Sequence, residues 1–113
     1  MSPEKGPATH GLGLDNLILE TIDNALRQIL GDESVKIIYK YMEKICHLKR
    51  EEIIEKHGVF STELKRLLGS GAPLAEKLIL KRLYSRLQLE FKEKKNYDFS
   101  EYIKELRKGK YLV

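Results

Sequence analysis

"LLGSGAPLAEKLILKRLY", residues 67–84, holds the junction on which the fold turns. Two glycines flank a serine, a proline follows, and an amphipathic basic stretch runs on from there. Gly69 stands where a helix commonly ends in a left-handed residue. Pro73 suits the first turn of a new helix, because its missing N–H would have no intrahelical partner there. The stretch therefore predicts two helices joined by a tight turn, the second running from about Pro73 to Leu87.

A glycine loop opening a helix can also cradle a phosphate on exposed N–H groups. A mononucleotide loop needs G-x-x-x-x-G-K-[ST] after a strand, and the Lys-Ser/Thr pair is missing here. A dinucleotide loop needs G-x-G-x-x-G, but residue 74 is Leu. Pro73 removes one more donor. The loop is read as a structural turn.

Working outward, the flanking segments repeat the helical pattern. Asp15 is placed as N-cap of a first helix ending at Leu30, with Ile18, Ile22, Ala25, Leu26 and Ile29 on one face. Gly31 stops it, and Asp32 or Glu33 opens a second helix to Cys46. Its stripe is Val35, Ile38, Tyr39, Met42, Ile45 and Cys46, with Lys36, Lys40, Glu43 and Lys44 opposite. "LKREEIIEKHG" (48–58) predicts a short third helix ended by Gly58, and Ser61 or Thr62 caps a fourth over Leu64, Leu67 and Leu68. Segment 89–94 alternates but is too isolated for a sheet. Asp98 and Glu101 stand at capping-box spacing ahead of Phe99, Tyr102, Ile103 and Leu106. The expectation is an all-α compact bundle of five to six short helices in a single domain, 14–108. Residues 1–13 are read as a mobile N-terminal tail and 109–113 as a C-terminal tail.

The composition fits one globular domain of 113 residues, with 42% hydrophobic and 34% charged side chains. No apolar run approaches the roughly 20 residues that span a bilayer. The start "MSPEKGPATHGLG" has no apolar core of a secretory signal, and Cys46 is the only cysteine. These features point to the cytoplasm and exclude a disulfide scaffold. Fifteen Lys and 13 Glu against two Gln and three Asn resemble the usage of heat-adapted proteins.

Charge is uneven. Residues 1–60 carry a net −2, residues 61–88 a net +4 and residues 89–113 a net +2. On the helix from Pro73, Lys77, Lys81, Arg82, Ser85 and Arg86 share one side, with Leu74 and Leu78 among them near its start. Two binding readings follow. An apolar pair framed by cations is a patch for a protein partner, as a heteromer or a homodimer. Alternatively, segment 89–94 folds back around Phe91 and covers the leucines. The same row could hold nucleic-acid phosphates without sequence choice. Base reading is excluded, since Pro73, Leu74 and Ala75 occupy the positions that reach base edges.

Enzymatic constellations fail one by one. Zinc needs four ligands at characteristic spacings, which Cys46, His47, His57 and His10 do not provide. Cys46 and His47 are neighbours about 100° apart on a helix and cannot pair as nucleophile and base. Cys46 is expected as a core thiol. Glu51 and Glu55 share a face, but Lys49, Arg50 and Lys56 surround them. Among six tyrosines, Tyr41, Tyr97 and Tyr111 remain as surface candidates for stacking. No catalytic residue, metal, cofactor, small-molecule substrate or membrane partner is indicated. The interface residues selected are Leu74, Lys77, Leu78, Lys81, Arg82 and Arg86.

The central segment, residues 31–91, resembles a small archaeal family known as a Nitrosopumilus-type output domain. The resemblance rests on Y-x-x-x-E-K (Tyr39 to Lys44), "LKREEI", "LLGSGA" and an "LY-x-x-L" helix end before an extended apolar piece. It implies an archaeal origin and a regulatory or binding role rather than catalysis, and it assigns no catalytic residue.

Overall fold

The computed structural model describes the backbone of residues 5–109 and the side chains of residues 13–109. Five α-helices follow one another with no strand among the described residues: α1 (Lys5–Leu30), α2 (Asp32–Cys46), α3 (His57–Leu68), α4 (Ala72–Arg86) and α5 (Phe99–Arg107). Two short 3-10 segments, Arg50–Ile54 and Gly69–Gly71, join α2 to α3 and α3 to α4. The all-α bundle stands.

α1 is the central post. Ile18, Ile22 and Leu26 recur at four-residue spacing and are almost wholly buried. α2, α4, α5 and the Arg50–Ile54 turn all pack against α1, while α3 fits between that turn, α4 and α5. Phe60 and Leu64 on α3, Ile79 and Leu83 on α4, and Ile103 and Leu106 on α5 complete one core. Each such side chain contributes about 1.5–3 kcal/mol by leaving water.

Local signals explain the joints. Gly31 has φ 90° and Gly69 φ 58°, a region costly to any residue with a Cβ, so both chain reversals require glycine. Asp98 accepts a hydrogen bond from the Glu101 N–H at 3.0 Å, while the Glu101 carboxylate receives the Asp98 N–H at 3.4 Å. That reciprocal pair fixes the start of α5.

Several expected boundaries and faces move. α1 begins at Lys5, well ahead of Asp15, and Asp15 instead pairs with Arg107 at 3.3 Å. Gly58 does not stop a helix; it lies in the first turn of α3, which starts at His57. Ser61 caps nothing. Its hydroxyl is buried in α3 and donates to Glu76 Oε2 at 2.6 Å, an interhelical bond that a surface cap could not make. On α2, Ile45 is 61% exposed, because only the Val35–Ile38–Met42 side faces α1. Ile29 and Leu67 also reach solvent, near the ends of their helices. Residues 1–4 and 110–113, and the side chains of His10 and Tyr111, lie outside the described residues.

Candidate interaction surface

α4 carries all six residues selected from sequence, and packing separates them; Lys77 lines the same groove as Leu74. Leu74 projects into solvent at 74% exposure. Leu78 is half-buried and packed against the core, so it is no free anchor. Lys81, Arg82 and Arg86 lie a turn or more further on, around a separate shallow dent with Ser85.

The cations are largely engaged within the molecule. Lys77 Nζ is 2.8 Å from Glu93 Oε2, and it holds the Glu93 carboxyl below its usual range. Arg86 reaches Glu20 at 3.5 Å, and Arg82 donates to the Gln28 side chain. These exposed contacts are individually weak. They nonetheless hold the basic row against α1 and against segment 88–97 instead of presenting it as an open phosphate track.

Segment 88–97 shapes what is left. It is extended without pairing into a sheet and turns through positive φ at Gln88 and Asn96. Phe91 folds onto Tyr84 and Tyr102, with ring centroids 5.2 Å and 5.3 Å away. The Lys94 N–H donates to the Tyr102 hydroxyl at 2.7 Å, its ammonium reaches Glu105 at 2.9 Å, and the Tyr97 hydroxyl donates to Glu105. The segment is thereby pinned to α5. It folds back as one sequence reading expected, yet it leaves Leu74 uncovered.

Between this segment and the start of α4 lies an open groove of about 660 Å³. Leu74 and Lys77 form one wall, Phe91 and Tyr97 the other, and Leu80 and Phe99 the floor. Lys65, Lys94 and Lys95 line its edge, and Glu76 lies low in it. Burial pushes the Glu76 carboxyl up, opposed by the bond from Ser61 and the charge of Lys65. Aromatic walls, an apolar floor and a charged rim form a pocket that takes an apolar anchor.

The other titratable candidates, His57 and Cys46, do not line the groove. His57 shares a hydrogen bond with the Ser100 hydroxyl and is half-buried beside Arg107 and Lys104. Burial first, then those two cations, lower its pKa. Cys46 is half-buried at the end of α2 and not in the core as expected, since α2 ends there and His47 turns left-handed at φ 55°. Burial and a hydrogen bond to Glu63 raise the thiol's pKa. No group of three or more His, Cys, Asp or Glu side chains among the described residues is arranged to hold a metal ion. No described helix is long and apolar enough to cross a membrane. Sequence reading missed Phe91 and Tyr97 as a wall of the groove and Phe99 as part of its floor; the aromatic spacing of 91–99 was the available signal.

No family model, curated protein or solved structure matches the chain.

Proposed function

We propose that this chain is a non-catalytic interaction module that receives an apolar side chain of a partner protein in the groove beside Leu74. The observation that carries it is Leu74 itself. A leucine 74% exposed at the mouth of an aromatic-walled groove stands ready to be covered. Lys65 and Lys95 at the groove's edge favour acidic residues around that anchor, Lys77 and Lys94 being already paired with Glu93 and Glu105. The resemblance of residues 31–91 to an archaeal output domain adds the regulatory setting in which such a module would act.

Sequence-independent nucleic-acid binding by Lys77, Lys81, Arg82 and Arg86 is the competing reading, and the ion pairs to Glu93 and Glu20 weigh against it. Retention of proteins from the source cell by the wild type and by Leu74→Ser distinguishes the two, alongside titration of labelled duplex at several salt concentrations. The groove reading expects partner loss in Leu74→Ser and weak duplex binding. A steep salt dependence of duplex binding, reduced by Lys81→Glu, would favour phosphate contacts.

A further inference from the structure

α2 carries a second apolar stripe beside the face it packs on α1. Ile37 is 67% and Ile45 61% exposed, and half-buried Tyr41 lies between them at four-residue spacing. At about 100° per residue these three continue the buried Ile38–Met42–Val35 face, so that roughly 200° of the helix circumference is apolar. Packing on α1 uses about half of that arc. The remainder forms a depression of about 280 Å³ lined by Ile37, Lys40, Tyr41, Lys44 and Ile45.

Lys40 and Lys44 edge the stripe, and Lys36 stands one turn before them on the same side. Among the described residues none of these three ammonium groups has a carboxylate within ion-pair distance, in contrast to Lys77, Lys94 and Arg50. An apolar stripe edged by three lysines that outnumber Glu33 and Glu43 beside them, and that make no ion pair among the described residues, is complementary to a helix whose apolar face is bordered by carboxylates. A second copy of this chain fits less well. An antiparallel two-fold pair would set each lysine edge against its own equivalent, and a parallel one would leave the lysines facing apolar surface.

We propose that the Ile37–Tyr41–Ile45 face of α2 docks an acidic amphipathic helix of a partner protein, at a site separate from the α4 groove. The partner's apolar side chains cover Ile37 and Ile45, and its carboxylates neutralise Lys36, Lys40 and Lys44.

Two labelled synthetic helices of about 18 residues, five turns, provide the probes. Both carry a leucine stripe at i, i+4, i+7 and i+11; one borders it with glutamates and the other with lysines. Fluorescence anisotropy against the full chain should show binding of the glutamate helix alone, weakening as salt rises. Ile37→Ser with Ile45→Ser should reduce that binding at least about tenfold. Lys40→Glu with Lys44→Glu should transfer the preference to the lysine helix, a gain of binding that a misfolded variant could not produce. Leu74→Ser should leave the glutamate helix bound. Equal binding of both helices, no binding of either, or loss only in Leu74→Ser would overturn the proposal. So would dissociation of a homodimer by the isoleucine changes in sedimentation, which would make a second copy the occupant.

Discussion

Arg50 grips Asp23 through two nitrogens, with Nη2 2.6 Å and Nε 3.0 Å from the same carboxylate oxygen. The Tyr39 hydroxyl donates to the other oxygen of Asp23. One aspartate that is 7% exposed thus ties α1, α2 and the Arg50–Ile54 turn together. Burial and the neighbouring Asp23 push the Tyr39 phenol well above its usual range, so it remains a donor. A buried acid so fully satisfied rigidifies a helix junction.

Removing Arg50 tests that junction. Breaking a fully buried pair costs about 3–5 kcal/mol, but the Arg50 side chain is 39% exposed and solvent takes part of its place. Arg50→Met should therefore lose about 2 kcal/mol in urea unfolding, and Tyr39→Phe about 1 kcal/mol. A loss within about 0.5 kcal/mol for Arg50→Met would mean the pair is ornamental.

Glu76 makes an opposite kind of contribution. Burial raises its carboxyl pKa in the fold, so the folded state favours the protonated form. The stability that this preference supplies is present below the ordinary carboxylate pKa and is lost as pH rises through it to the raised folded value. Glu76→Gln should match the wild type at acid pH and gain on it towards neutrality, when chemical melts are compared from pH 4 to 7. Ser61→Ala, which removes the bond to Glu76, should cost about 1–3 kcal/mol at pH 7. An advantage of Glu76→Gln that did not grow with pH would contradict the assignment.

His57 titrates in the other direction. Its folded pKa is depressed by burial and by Arg107 and Lys104, while Asp98 opposes the shift. The stability from the neutral ring is complete above the ordinary imidazole pKa and is lost as pH falls through the lowered folded value. The wild type should soften between neutral pH and pH 5, and His57→Gln should flatten that part of the profile. Identical profiles for the two proteins would rule out His57 as its source.

The parts of this fold legible in the sequence are those decided locally. Asp98 with Glu101, Gly69 with Pro73, and Gly31 each act through backbone geometry within a few residues, and each lies where its residue type predicts. Ser61 and Gly58 carry equally strong local signals but were overridden. Packing of α3 on α4 and α5 was worth more than a cap or a stop, and Ser61 gained Glu76 instead. Faces were harder still. Leu74 and Leu78 lie close together on a helical wheel, and only the packing of α4 in the bundle leaves Leu78 half-buried against the core and Leu74 out. The Asp23–Arg50 pair spans 27 residues, which no periodicity reaches. An acid beside the apolar stripe Ile18–Ile22–Leu26 was its only trace. The α4 groove needs segment 88–97 folded back, and such a return is fixed by Phe91, Lys94 and Tyr97 finding α5.

Protein binding by Leu74 and its groove is the proposal from which the function follows. Its most direct measurement is side-by-side affinity retention from the source cell by the wild type, Leu74→Ser and the control Lys81→Ser, with the retained partner then purified and titrated. Burial of one leucine is worth about 1.5–3 kcal/mol, so Leu74→Ser should weaken that partner by at least about tenfold while Lys81→Ser leaves it within about twofold. Equal affinity of the partner for the wild type and for Leu74→Ser would contradict the claim.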